Sequence, residues 1–164
     1  MTNPTAGSTL SGRAGRLLAL TSLGTVAAMG GRLVFAPLLP AIVDDLAISS
    51  AQAGVALSVL WACASLIQYP GGRASDELSR KTVLVAALGL MAVGATAVSL
   101  VGSYPELLVA TACFGAGAGL YVPTSFAHIA DLFDRRRGTA FGVNIASVNL
   151  GGLLVAVLAS VVLA

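Results

Sequence analysis

This sequence is short of charge. Asp, Glu, Lys and Arg together make up 10 % of its 164 residues, whereas a soluble domain carries about a quarter. A chain this poor in charge cannot cover itself with water-compatible side chains, which excludes a soluble helical bundle. Histidine occurs once and cysteine twice. One histidine provides no metal-ligand cluster. Cys63 and Cys113 both lie inside apolar runs, where they read as small buried hydrophobes rather than a disulfide framework. Aromatics are 5 % of the chain and none is interleaved with a basic cluster, so nucleic acid is not an expected partner. What is abundant is apolar: 57 % of residues are hydrophobic and 19 are glycine. The partner implied is a lipid bilayer.

The apolar residues fall into five runs, each long enough to cross a hydrocarbon core that takes about 20 helical residues. The predicted spans are 17–43, 48–71, 82–104, 107–130 and 138–164. Residues 1–16 are small and polar, ending in Arg13 and Arg16, and read as a disordered cytoplasmic tail. A cleaved signal peptide is disfavoured because the first apolar run continues to Val43, past the length of a signal core. Ser49 is the expected start of the second helix, and Pro70-Gly71-Gly72 its expected stop. Only Pro105-Glu106 is expected to separate the third and fourth spans.

Basic residues precede span one (Arg13, Arg16), separate spans two and three (Arg73, Arg80, Lys81), and separate spans four and five (Arg135, Arg136, Arg137). With five crossings these segments share one side, which the positive-inside rule makes cytoplasmic. The other side carries Asp44, Asp45 and Glu106. The expected topology has the amino terminus inside and the carboxyl terminus outside the cell membrane.

Glycines recur four apart at Gly115 and Gly119 and at Gly138 and Gly142. That spacing lets helix backbones approach closely. The run Gly115–Gly119 has no polar companion, so a nucleotide-binding loop is excluded.

Arg32 is the sharpest single residue. It is the only charged residue inside a predicted span, about 15 residues or roughly 22 Å from the cytoplasmic end. At that depth an arginine costs about 2.5–3.5 kcal/mol on the insertion scale, and no intramembrane carboxylate is available to pair with it. It is expected to face a water-filled cavity, where an anionic solute completes its hydrogen bonds. The alternative is a structural arginine bonded to carbonyls freed near Gly30-Gly31 or Pro37. Trp61, Tyr121 and Asn149 reach a similar depth and complete the candidate substrate-binding set. Trp61 and Tyr121 serve equally as packing aromatics, and Asn149 as a bridge between helices. Gln68 and Asn144 lie nearer the cytoplasm. His128, one turn before Asp131, reads as a helix-end interaction rather than a proton carrier.

The segment between spans two and three, Gly72-Arg73-Ala74-Ser75-Asp76-Glu77-Leu78-Ser79-Arg80-Lys81, resembles the signature of the major facilitator superfamily, roughly G-x-L-a-D-r-x-G-R-[RK]-x-x-L. Gly72, Asp76, Arg80, Lys81 and Leu84 match it; Ala74, Glu77 and Ser79 depart from it. Leu38-Leu39-Pro40 with Asp44-Asp45-Leu46 is similar to the family's first extracellular turn, and Arg137–Gly142 to its fourth-to-fifth connection. The resemblance implies an all-α membrane protein, five transmembrane helices of a six-helix half, and secondary active transport of a small solute by alternating access. It implies no enzyme activity, no cofactor beyond a coupling ion, and no metal. Asp131, at the cytoplasmic end of the fourth span, is the expected acceptor for Arg80; the resemblance implies that Gly72, Asp76, Arg80, Lys81 and Asp131 form a conformational switch, the alternative being topogenic charge with no switching role. Family members carry twelve spans, so the expectation is a truncated chain. The missing carboxyl-terminal half, or a separately encoded equivalent, is then a partner. Thr111 stands where the drug–proton antiporters carry arginine, and their Gly-Pro motif is absent around Gly151-Gly152, which argues against multidrug antiport. The other readings are a non-transporting scaffold or assembly partner and, least favoured, a membrane-embedded enzyme.

Overall fold

The computed structural model describes residues 12–133 and 136–162, with side chains described as far as residue 159. The tail over 1–11, Asp134, Arg135 and the last two residues lie outside the described residues. The chain folds as α1 (Gly12–Leu46), α2 (Ser50–Glu77), α3 (Arg80–Val98), α4 (Tyr104–Leu132) and α5 (Arg137–Val162). All five are long and apolar enough to cross a membrane. Their outward faces are apolar too: Leu66, Tyr69 and Val109 are each at least 70 % exposed. Such a surface suits lipid, not water.

Three helix limits depart from the sequence expectation. Arg13 and Arg16 belong to the first turns of α1 rather than to a tail. Second, Pro70-Gly71-Gly72 does not stop α2, which runs through it to Glu77. A proline removes one backbone bond, but membrane helices tolerate this when neighbours pack around it. Gly71 lies against Leu120 and Gly119 of α4, and beyond it Ser75 Oγ bonds the Gly72 carbonyl at 2.8 Å. The charged segment is therefore the last turn of α2 and the start of α3, joined through Leu78 and the N-cap Ser79. Third, α3 ends at Val98 and the connection is 99–103, so Tyr104 and Pro105 open α4. Proline suits a first helical turn, where its missing N–H has no intrahelical partner to lose. Glu106 fixes the turn by accepting from the Gly102 N–H at 2.8 Å.

Between α1 and α2 the chain turns at Ala47, whose φ is 50°. The Ile48 N–H returns to the Val43 carbonyl at 3.2 Å, closing α1 with a left-handed cap that ordinarily takes glycine. Ser49 then opens α2 with a capping box: its hydroxyl accepts from Gln52 N–H while the Gln52 side chain accepts from Ser49 N–H.

Helix α4 is the centre. Of its apolar window 56 % is buried, against 17–22 % for each of the others. Gly115 lies on the Leu60 carbonyl and Gly119 on the Ala64 carbonyl. The numbers rise together, so α2 and α4 run parallel at backbone contact. Gly94 meets Phe114 and Gly117 meets Ala87 and Met91; these numbers run oppositely, so α3 and α4 are antiparallel. Gly151 of α5 rests on the Val26 carbonyl of α1, and Thr25 bonds Asn144, again a parallel pair. This is the alternation of a chain crossing a bilayer back and forth. Gly138 and Gly142, expected to pack, have nothing within 4 Å of where a Cβ would stand. On α5 the close approach is made by Gly151 instead.

Candidate functional site

The two ends of the bundle differ in charge. Arg13, Arg16, Arg73, Arg80, Lys81, Arg136 and Arg137 collect at one end and Asp44, Asp45 and Glu106 at the other. At the basic end Arg80 holds three partners. Its Nε donates to Asp131 Oδ2 at 3.1 Å, and its Nη1 donates to Ser75 Oγ at 2.7 Å and to Asp76 Oδ1. One guanidinium thus ties the end of α2 to the end of α4 from the first residue of α3. Of the other predicted switch residues, Gly72 contributes a carbonyl to Ser75, and Lys81 is exposed without an ion pair among the described residues. Ser75 is 2 % exposed and was not anticipated; its hydroxyl steadies Arg80. The cluster is otherwise open to solvent, with the Asp76 and Asp131 side chains 67 % and 59 % exposed. Ion pairs so exposed contribute only about 0.2–1 kcal/mol. The arrangement is one that can separate at little cost.

Near the middle of α1 lies Arg32, about 24 Å from Arg16 and about 18 Å from Asp44 along the helix axis. It is 5 % exposed, and none of the four surface grooves of about 290 to 570 Å³ includes it. It lies instead against Trp61: the guanidinium carbon is 5.4 Å from the indole centroid. A desolvated cation–π contact is worth about 2 kcal/mol, comparable to the insertion cost. It leaves Nε and Nη2 buried without hydrogen-bond partners. The carbonyls freed by Pro37 and Pro40 do not take them.

Those two nitrogens form one edge of the guanidinium, a fork whose N–H groups match the two oxygens of a single carboxylate. Each buried orphan donor costs about 1–3 kcal/mol. An anion delivered to this edge recovers that cost.

The remaining predicted substrate residues are dispersed. Tyr121 is 1 % exposed, donates its hydroxyl to the Thr21 carbonyl at 2.7 Å and fills the space above Gly24. It wedges α1 against α4. Asn149 lies on the exposed side of α5, its Nδ2 3.5 Å from the Ile145 carbonyl. No hydrogen bond, ion pair or ring contact joins either to Arg32 among the described residues. His128 is half-buried and lines, with Arg13, Lys81 and Tyr121, a largely apolar groove between α1 and α3.

Two to three turns from Arg32 lies a buried polar group that the sequence alone did not single out. Thr21, Ser22 and Thr25 of α1 and Asn144 of α5 are all at most 6 % exposed. Thr25 Oγ1 lies 2.8 Å from Asn144 Oδ1 and 3.1 Å from the Thr21 carbonyl. The signal was present: three hydroxyl residues at i, i+1 and i+4 of an apolar helix, with Arg32 two turns beyond Thr25 on the same face.

Comparison with known proteins gives the chain a family. The sequence profile of the Major Facilitator Superfamily matches residues 21–164. The chain belongs to this family. Among curated proteins, the chain is similar to a hexuronate transporter of Bacillus subtilis (strain 168), with 29 % identity over 116 residues. The aligned region is 70 % of this chain and 28 % of that protein, so the chain spans well under half the length of its relative.

Proposed function

We propose that this chain is part of a secondary transporter that carries a small organic anion across the cell membrane by alternating access. The observation that carries the proposal is the unpartnered Nε–Nη2 edge of Arg32, buried at mid-membrane depth under Trp61. Transporter sites lie near the bilayer midplane, and a charged residue there marks a substrate path. The similarity to a hexuronate transporter supports a carboxylate as the anion. Trp61 is 39 % exposed while Arg32 is not, so the solute reaches the arginine as the indole moves aside. The Arg80 cluster supplies the second component: a weak, exposed tie between helix ends that holds one conformation and releases in the other. The basic end is cytoplasmic in this reading.

The test is uptake of radiolabelled hexuronate and hexose by cells expressing the transporter that carries this chain. Arg32→Gln removes hexuronate uptake with membrane abundance unchanged, and hexose is not carried by either form. Normal hexuronate uptake by Arg32→Gln sinks the proposal.

A further inference from the structure

The unpartnered buried groups are not scattered. Among the described residues they are Ser22 Oγ, Arg32 Nε, Arg32 Nη2 and Asn144 Nδ2. Three belong to α1, and the fourth belongs to α5 where it meets Thr25. Thr25 and Arg32 are seven residues apart, two turns on one face and about 10 Å along the axis. A helical arginine leans toward its own amino end, the end on which Thr25 and its partner Asn144 lie. Between them α1 presents the methyl group of Ala28, 2 % exposed.

Native interiors leave few buried polar groups unbonded, so four on one seam point to an absent partner. The Asn144 amide narrows what that partner is. With Oδ1 on the Thr25 hydroxyl, Nδ2 is the free end; turned the other way, Oδ1 is free. A hydroxyl donates and accepts, and therefore satisfies either orientation. A second carboxylate accepts only and an ammonium donates only.

We propose that Asn144 is a second recognition point of the solute site, reading a hydroxyl of a polyhydroxy carboxylate whose carboxylate sits on Arg32. This rests on the anion-carrier reading above and extends it: Arg32 selects for charge, and Asn144 selects sugar acids over simple fatty or keto acids.

The chain carries a reporter for the test. Its one tryptophan is Trp61, 5.4 Å from the Arg32 guanidinium. The transporter that carries this chain is titrated in lipid nanodiscs with D-glucuronate and with butanoate, following the indole fluorescence that is lost in Trp61→Phe. The expected result for Asn144→Leu is roughly tenfold weaker glucuronate binding, as for loss of one buried hydrogen bond, with butanoate binding unchanged within about twofold. Asn144→Ser keeps a hydroxyl and loses less. Arg32→Gln loses both ligands. Equal weakening for both acids in the Asn144 variants marks a structural role and overturns the assignment, as does undiminished glucuronate binding. If the wild-type transporter responds to butanoate but binds glucuronate no better, only the Asn144 role fails. If it responds to neither acid, the anion site itself fails, and this inference with it.

Discussion

Replacing Gly115 by alanine should separate two helices that touch through their backbones. A Cβ built on Gly115 falls on the Leu60 carbonyl, with the Leu60 Cα at 3.2 Å; a backbone, unlike a long side chain, has no rotamer into which to move. The α2–α4 seam also includes Gly119 on Ala64 and Gly71 on Leu120, so a shift at one point opens all three. Each interhelical atom pair is worth about 0.1–0.2 kcal/mol and forfeits up to half of it when a gap of roughly 1 Å opens. A few tens of such pairs put the loss at about 1–3 kcal/mol, the usual range for overpacking. The higher helix propensity of alanine returns about 1 kcal/mol. Gly54→Ala on α2 gains the same propensity where nothing lies within 4 Å, so the difference between the two variants isolates the seam. Thermal unfolding can be followed with a thiol-reactive fluorogenic dye, since Cys63 on α2 and Cys113 on α4 are free and half-buried. Gly115→Ala should melt below wild type and Gly54→Ala at or above it. Equal melting temperatures for the two variants would refute the close-packed seam.

Three further perturbations probe other parts of the molecule. Ala47→Gly relieves a left-handed backbone at φ 50° and should stabilise the chain by about 1 kcal/mol in the same melt; a lower melting temperature would mean that the turn is not formed as described. Asp131→Asn removes one partner of Arg80 and should alter unfolding by less than about 1 kcal/mol, because the pair is exposed; a larger loss would make the cluster a structural clamp. Asp76→Lys should slow hexuronate uptake by the transporter carrying this chain more than it weakens solute binding. Equal loss of both would indicate a folding defect rather than a switch.

Much of the fold was legible because a bilayer imposes one dominant rule, a run of about 20 apolar residues per crossing. All five helices lie where such runs occur. The limits were less legible, for local reasons. Pro70-Gly71-Gly72 carries the composition of a stop, yet its glycine is there for contact with Leu120 and the helix continues to Glu77. Pro105 looked like a turn residue and is the start of α4. Glycine spacing alone could not separate Gly115 and Gly119, which meet a backbone, from Gly138 and Gly142, which meet nothing. For the sites, charge was readable and neutral polarity was not. Arg32 stood out as a lone cation in an apolar run, and the Arg80–Asp131 pair followed from like placement at helix ends. Asn144 and Ser75 gave no such contrast. Their importance depends on which neighbouring helix they face, and that is fixed only when α5 packs on α1 and the end of α2 meets Arg80. Tyr121 and Asn149 reach the right depth but point elsewhere, since depth says nothing about azimuth.

The central claim is that the free edge of Arg32 receives a carboxylate, and the Arg32 Nε–H group itself reports it. In ¹⁵N-labelled chain in nanodiscs, the Arg32 Nε–H resonance is assigned by its disappearance in Arg32→Lys, and D-glucuronate is then added against a D-glucose control. A saturable downfield proton shift with glucuronate alone, as for a charge-assisted hydrogen bond, is the predicted result. An Arg32 resonance unmoved by glucuronate, or moved equally by glucose, contradicts the account.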